Sequence, residues 1–356
     1  MVCPPRVIRG LQNQNVKMYY ENAKNGLSCC IDWISFTVFD LSIGEVLEFL
    51  GFDIYDLEAK YGARGYKHSL TVSEVGFVIL YDGEKNQGIH VDIPSKALGM
   101  VLEKIQFKNS IHTPFGIAFD MDINIIKELI EYVLKYGHFT RFDIAVDDTI
   151  GFYTVSEVWE YLTNDRYVAT FRKYEHYDSR LIGNERNGET VYMGSRQSNF
   201  FMRVYDKQLE QKVDYNWVRW ELEIKNECAD ILAQHLLNKS MNEVIFGTLS
   251  NFIRFINEDN VRKCRCSTSE KWNEFLNNVK EMEYKLKRHV TTLDDKEEWI
   301  ERQVMPSICA LMLAEGGSLG FIEEKILKGV YRMSEDLIKR VAAINPHWQE
   351  LLYYLE

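Results

Sequence analysis

Three short stretches alternate apolar and functional residues with a period of two, and that period restricts what this chain can build. In 200–207 the alternation runs through Met202, Arg203, Val204, Tyr205 and Lys207; in 219–225 through Arg219, Trp220, Glu221, Leu222, Glu223, Ile224 and Lys225; in 141–147 through Arg141, Phe142, Asp143, Ile144, Val146 and Asp147. In an extended strand, successive side chains point to opposite faces. Met202, Val204, Trp220, Leu222, Ile224, Phe142, Ile144 and Val146 therefore go to one side. Arg203, Tyr205, Lys207, Arg219, Glu221, Glu223, Lys225, Arg141, Asp143 and Asp147 go to the other. If the three strands share a sheet, one surface gathers a tyrosine, several carboxylates and several bases.

The surrounding pattern predicts an α+β protein. A strand at 30–38 is followed by a helix at 42–50 behind the cap Ser42, extended segments at 66–72, 76–81 and 88–93, and a helix from 95 to 105. Ile123, Ile125, Ile126, Leu129, Ile130, Val133 and Leu134 recur with helical spacing over 122–136, and Gly137 ends that helix. The order then repeats: strand at 139–148, helix at 156–162, extended segments at 167–172, 190–195, 200–207 and 218–225, helix at 229–237. The expectation is a duplicated strand–helix–strands–helix unit, forming one open antiparallel or mixed sheet with helices on one face. The expected divisions are a leader (1–26), a first α+β repeat (27–110), a second repeat carrying the site (111–240) and a helical C-terminal region (241–356). Helices are expected there at 242–258, 268–289, 296–315 and 320–343.

Composition narrows the class further. No apolar run approaches the ~20 residues of a membrane span, and the first residues lack the apolar core of a signal peptide. Seven cysteines, an odd number without a second pair at zinc-site spacing, predict reduced thiols and a cytoplasmic protein. Net charge is −11, yet 262–288 carries eight Lys or Arg, Lys263 and Arg265 among them, against four Glu. From Leu293 onward, twelve acids stand against seven bases. Basic charge is thus concentrated just after the repeats, and local charge rather than net charge decides whether a polyanion binds.

Tyr205 has an ordinary use, as a cross-strand aromatic on a half-buried sheet, and a chemical one. A free phenol titrates near ~10, so attack on a phosphodiester needs a base or nearby positive charge. Arg203 and Lys207, on the same face, would favour the phenolate and bind phosphate oxygens. Asp143, Asp147, Glu221 and Glu223 repel one another unless a cation lies among them, and clustered oxygens suit Mg2+ or Mn2+. Asp148 and Asp206 fall on the opposite face by strict alternation. His90 has no His-x-His partner, which argues against a histidine-held metal. Ser195 and Arg196 lie in a polar turn before Tyr205, either a plain hairpin or a clamp on a DNA backbone. Walker, dinucleotide-binding, nucleophile-elbow and zinc-protease motifs are absent.

Taken in order, Asp32-Trp33-Ile34-Ser35-Phe36, Thr140-Arg141-Phe142-Asp143-Ile144-Ala145-Val146-Asp147, Tyr192-Met193-Gly194-Ser195-Arg196-Gln197-Ser198-Asn199, Arg203-Val204-Tyr205-Asp206-Lys207 and Arg219-Trp220-Glu221-Leu222-Glu223 resemble the trans-acting replication-initiation-factor family. That family comprises rolling-circle initiators of plasmids and phages and related relaxases of integrative conjugative elements in Gram-positive bacteria. The resemblance runs over about 32–238. It implies a site- and strand-specific DNA nicking and closing enzyme whose nucleophile, Tyr205, forms a 5′-phosphotyrosyl intermediate and frees a 3′-OH. It also implies a divalent metal held by acidic residues, with Asp143 and Glu221 the first candidates and Asp147 and Glu223, on the same face by the strand pattern, the further ones. Double-stranded origin DNA and an extruded single strand would be bound through Arg141, Ser195, Arg196, Arg219, Lys225, Lys263 and Arg265. A host helicase and a second copy of the chain are the expected partners. Three questions stay open: conjugative relaxase or vegetative initiator within the class, and, outside it, an inert origin-binding protein or a metal-dependent hydrolase of small phosphoesters.

Overall fold

The computed structural model describes residues 20–22, 26–108, 111–113, 116–118, 124–178, 188–277, 279, 284, 297, 300–314, 316–317, 322, 328–329, 332–333 and 335–350. The first half runs β1 (Tyr20–Asn22), β2 (Ser28–Val38), α1 (Ile43–Leu50), β3 (Glu58–Tyr61), β4 (His68–Val72), β5 (Phe77–Tyr81), β6 (Ile89–Pro94) and α2 (Ser95–Lys108). After a short hairpin, β7 (Ile111–Thr113) and β8 (Gly116–Ala118), come α3 (Ile125–Tyr136), β9 (Gly137–Asp148), α4 (Val155–Thr163), β10 (Tyr167–Ala169), β11 (Tyr174–Asp178), β12 (Glu189–Gly194), β13 (Phe200–Asp206), α5 (Lys207–Gln211), β14 (Val218–Lys225) and α6 (Glu227–Asn238). Next are α7 (Met241–Phe252), β15 (Ile253–Phe255) and α8 (Glu270–Phe275).

One sheet takes the strands in the order β11-β12-β13-β14-β9-β2-β6-β5-β4-β3, with β1 against the start of β2. Each neighbouring pair is antiparallel. Read outward from the β2/β9 junction, the two halves are mirror orders of the same unit: first strand, last strand, then the others in reverse. The duplication expected from sequence thus takes the form of one five-stranded unit used twice, joined through its first strands. The register between β2 and β9 slips at Ile31/Trp33 and again at Ser35/Phe36, so each central strand carries a bulge. Both slips show in the apolar phase: buried residues move from Cys29 and Ile31 to Ile34, Phe36 and Val38, and from Phe139 to Phe142, Ile144 and Val146.

The apolar sides of both halves share a core with the helices. α3 begins at Asn124, whose side chain accepts from the Lys127 amide, and buries Ile125, Ile126, Leu129, Ile130 and Val133. Emptying one such position to alanine costs about 2–5 kcal/mol. Gly137 follows because a Cβ there would lie 1.9 Å from the Thr37 carbonyl oxygen. Glycine is what lets β9 approach β2 so closely.

Several expected elements change character. The helix expected over 242–258 ends at Phe252, where buried Ile253 and Phe255 flank Arg254 and make β15 pair with β10. The strand expected over 200–207 ends at Asp206, and Lys207 opens α5. Of the helix expected at 268–289, α8 and its turn are described, and most of the remainder lies outside the described residues. Of the leader, 20–22 is a strand, and 1–19 and 23–25 lie outside them. The chain divides into compact units Met1–Leu286 and Lys287–Glu356. The core of the first includes Val244, Phe246, Leu249, Trp272 and Phe275, so 241–277 packs with the sheet. In the second unit, one π-helical turn (Ile300–Val304) leads into α9 (Met305–Ala314), and α10 (Glu335–Ile344) follows. No helix among the described residues is long and apolar enough to cross a membrane.

Candidate functional site

Cross-strand register sets the site. Tyr205 on β13 stands opposite Arg219 on β14, which stands opposite Asp147 on β9; Arg203 stands opposite Glu221, which faces Ala145; Phe201 stands opposite Glu223, which faces Asp143. The alternation holds: Met202, Val204, Trp220, Leu222, Ile224, Phe142, Ile144 and Val146 are buried in the core, and the polar set lies on the other face. That face is open, but its floor is not wet. Asp143, Asp147, Glu221, Glu223 and Arg219 are all buried, because long side chains from adjacent strands lie across them and satisfy them.

In the middle row, Glu221 accepts from Arg203 Nη2 at 2.5 Å and from the Tyr205 phenol at 3.1 Å. Lys207 Nζ donates to the same phenol oxygen at 3.2 Å. α5 starts at Lys207, and from that first helical position the lysine still reaches its neighbour two residues back. The Arg203 guanidinium lies 5.2 Å from the Tyr205 ring centre. Burial pushes the phenol pKa up and Glu221 pushes the same way, with Arg219 and Arg203 opposing. The phenol therefore stays protonated at neutral pH and needs an acceptor to act as a nucleophile. Glu221 is that acceptor by position.

In the next row Arg141 clamps Asp143 through two hydrogen bonds of 2.8 and 2.6 Å and reaches Glu223 at 3.1 Å. Arg141 also lies over the Trp33 ring at 4.5 Å, and Lys225 pairs with Glu223 at 2.5 Å. Burial pushes Asp143 up to about 7, Arg141 works against it, and Glu221 and Glu223 add to it. Arg141, for its part, is held charged by the same acids against its own desolvation. The partners thus pull in opposite senses. The ionised pair is the better description, because a guanidinium only donates and a protonated carboxyl would turn a donor toward it.

The last row is a separate network. Both carboxylate oxygens of Asp147 accept from Arg219 at 2.7 Å, Trp217 Nε1 donates to it at 2.6 Å, and Arg219 reaches Asp32 at 2.5 Å. Ser95 Oγ donates to Asp32 at 3.1 Å. The structure thus brings together Asp143, Glu221 and Glu223 and turns Asp147 away from them. Asp148 and Asp206 are structural: Asp148 accepts four backbone amides of the following loop, and Asp206 accepts the Glu189 amide.

Three mutually repelling carboxylates are the hard oxygen set a divalent cation prefers. As they stand, Arg141 and Arg203 supply the positive charge, and no metal-holding group of three His, Cys, Asp or Glu exists among the described residues.

The expected DNA contacts fall in different places. Arg196 stacks over Phe201 at 4.7 Å, in a turn closed by the Ser198 amide to the Ser195 carbonyl, and Lys225 Nζ donates to the Arg196 carbonyl. Lys263 pairs with Asp165 and lies 4.8 Å from the Tyr167 ring centre, and Arg265 is exposed. Arg219, expected as a DNA contact, is instead only 5% exposed and is held by Asp147 and Asp32, because its strand position pairs with Asp147 and lies within reach of Asp32. Trp217 and Asp32 entered the polar network without being expected there as partners. The bulge at Ile31/Trp33 brings Asp32 to the polar face, and the slip in apolar phase was the signal for it.

This fold and site define a class: a duplicated antiparallel α+β sheet presenting a tyrosine wired to a buried carboxylate and flanked by arginines and a lysine. A family model described as replication initiation factor matches residues 137–329. The chain belongs to that family. The match begins at the first residue of β9, so it covers the second half and not the first. A putative DNA relaxase, NicK, of Bacillus subtilis (strain 168) is 27% identical over 190 residues, 50% of this chain and 54% of the relative. The chain thus spans about half the length of that curated relative. The solved rolling-circle replication initiator protein from Geobacillus stearothermophilus superposes with a TM-score of 0.60 at 26% identity, over 72% of this chain and all of the other.

Proposed function

We propose that this chain nicks and rejoins one strand of origin DNA through Tyr205. The observation that carries the reading is the phenol held between Glu221 and Lys207, in a chain whose relatives are named as a relaxase and a rolling-circle initiator. In the step, the Tyr205 oxygen bonds to the scissile phosphorus as its proton passes to Glu221. The bond from phosphorus to the 3′ oxygen breaks, and that oxygen leaves as a hydroxyl after taking a proton from water. A 5′-phosphotyrosyl bond remains, and the reverse attack by a 3′-OH closes the strand. Lys207 steadies the oxygen as it loses its proton, and Arg203, whose side chain is 40% exposed, offers donors to the phosphate.

A divalent cation, when bound, would add positive charge at a non-bridging phosphate oxygen. Asp143, Glu221 and Glu223 would keep it only once Arg141, Arg203 and Lys225 gave up the carboxylate oxygens they now hold. Arg141, Arg196, Lys225, Lys263 and Arg265 are the proposed DNA contacts, making binding salt-sensitive. A host helicase, pairing of two copies and a cytoplasmic location belong to the same reading.

The test is adduct trapping with suicide oligonucleotides taken from DNA flanking the gene, with and without Mn2+. Unmodified protein should carry DNA on Tyr205 by peptide mapping; Tyr205→Phe should carry none and keep its duplex affinity. DNA on another residue, or nicking by Tyr205→Phe, overturns it. Absence of any adduct alongside intact origin binding would favour the inert origin-binding alternative.

A further inference from the structure

Beside the tyrosine, on the edge of the sheet, lies a cleft of about 370 Å³ lined by Lys173, Glu175, Tyr177, Tyr192, Arg196 and Phe201. We infer that it is a base-stacking subsite for the unpaired strand next to the scissile phosphate, with Tyr192 and Phe201 as the platform. The identity of that strand rests on the nicking reading above.

The geometry is that of an aromatic platform whose outer face a movable side chain now covers, Phe201 lying buried beneath Arg196. Tyr192 and Phe201 lie nearly parallel, 5.8 Å between centres and 17° between planes, and Tyr177 meets Tyr192 edge-on at 5.7 Å. Tyr177 is 62% exposed. A cross-strand aromatic pair can serve stability alone. Here, however, a flat guanidinium already lies on the rings: Arg196 is 4.7 Å from the Phe201 centre and 6.0 Å from that of Tyr192. A nucleobase has the same flat shape and can slide against or replace it. Glu175 stands opposite Tyr192 on the same face and has no ion-pair partner among the described residues. Its charge repels phosphate, so a strand in this cleft turns its bases inward and its backbone toward Lys173 and Arg196.

The cleft is also continuous with the chemistry. Phe201 and Arg196 line the small crevice that holds Arg141, Arg203, Glu221 and Glu223. Tyr177 pairs with Thr190, which pairs with Tyr205. Two strand spacings are about 10 Å, the length of roughly three stacked nucleotides at ~3.4 Å each. Phe201, four residues before Tyr205 on β13, lies about 13 Å away at ~3.3 Å per residue, so the bases held would be those within about three to four nucleotides of the nick.

Binding is tested apart from chemistry, in the full chain carrying Tyr205→Phe, with a dT15 oligonucleotide bearing one 2-aminopurine at successive positions. Stacking quenches that base. Quenching should appear over a short run of positions. Adding Tyr192→Ala should remove it and raise Kd roughly 5- to 150-fold, the range of one base–aromatic stack. Tyr192→Phe should keep both signals, and the exposed Tyr177→Ala should weaken quenching without lowering the melting temperature. Unchanged quenching in Tyr192→Ala, or equal loss in Tyr192→Phe, overturns the subsite. A protein that forms the Tyr205 adduct but binds dT15 equally with or without Tyr192 keeps the nicking reading and loses the cleft. One that stacks the strand through Tyr192 yet never forms an adduct does the reverse.

Discussion

Glu221→Gln separates a base from a bystander. The substitution keeps size and shape while removing the charge that receives the Tyr205 hydrogen bond. A positioned general base contributes roughly 10²–10⁴ in rate, or about 3–5 kcal/mol of barrier at ~1.36 kcal/mol per decade. Single-turnover adduct formation should fall by that factor. Duplex binding should not change, since Glu221 is only 3% exposed. A second effect runs the other way: the charge of Glu221 raises the phenol pKa, so the variant's phenol ionises more readily. In the variant, reaction must proceed through free phenolate, and its rate should climb close to tenfold per pH unit between pH 7 and 9. The unmodified protein, which hands its proton to an acceptor in place, should show a much flatter profile. The variant's fold should survive, because Arg203 is 40% exposed and water can take over its donors, unlike a fully buried pair. A loss below tenfold with parallel pH profiles would refute the base assignment.

Other outcomes follow from the same arrangement. Asp147→Asn leaves Arg219 buried opposite a neutral amide; unfolding free energy in urea should fall by about 3–5 kcal/mol, toward the lower figure because Asp32 still faces the guanidinium. A fall below about 1 kcal/mol would mean that water already reaches the pair. Gly137→Ala puts a Cβ 1.9 Å from the Thr37 carbonyl oxygen, backbone that cannot swing aside, and should destabilise by at least about 1–3 kcal/mol; an unchanged melting temperature refutes the close approach. At Asp92, 13% exposed, burial pushes the carboxyl up, but hydrogen bonds from His90 and Ser35 and the charges of His90 and Arg64 outweigh it and hold it down to about 2. Its stabilisation, about 2 kcal/mol, is therefore complete above pH 3.8 and lost as pH falls through 2. Asp92→Asn should flatten that part of the acid-unfolding curve, and an unaltered acid limb counts against it.

Period-two patterning made the working face legible because each strand has one apolar side, and a slip by one residue would turn the charges into the apolar core. It correctly put Tyr205, Arg203, Glu221, Glu223, Asp143 and Asp147 on a single face. It could not say which acid meets which arginine. That depends on cross-strand register: Glu221 meets Arg203 because those residues pair, and Asp147 meets Arg219 for the same reason. Alternation likewise carries no information on burial, so Arg219 read as an available phosphate contact although neighbours on both sides enclose it. Trp217 was invisible to it, lying just before β14 and reaching the network by side-chain length alone. β15 was hidden because Ile253 and Phe255 continue an apolar pattern that also suits a helix, and only pairing with β10 decides the matter.

The two halves share a frame but not a chemistry, and register explains how. Aligning β6 with β14 ahead of their helices sets Asp92 beside Glu223 and His90 beside Glu221. Ser35 then occupies the place of Asp143, since it pairs with Asp92 as Asp143 pairs with Glu223. On the next strand Leu80 pairs with His90, where the second half pairs Arg203 with Glu221. Two residues on, Asp82 stands in the position of Tyr205. The first half therefore has no phenol, and no guanidinium on that strand to hold charge beside it. Its polar residues close on each other instead: Ser35 donates to Asp92 at 2.5 Å, His90 lies 3.3 Å from it, and Arg64 caps it at 3.1 Å. A duplicated sheet needs both halves to bury its helices, because each supplies one wall of the common core, but only one half needs a nucleophile. The fixed pairing between β2 and β9 holds Trp33 of the first half against Arg141 of the second, so the half without the tyrosine still shapes the site of the half that has it.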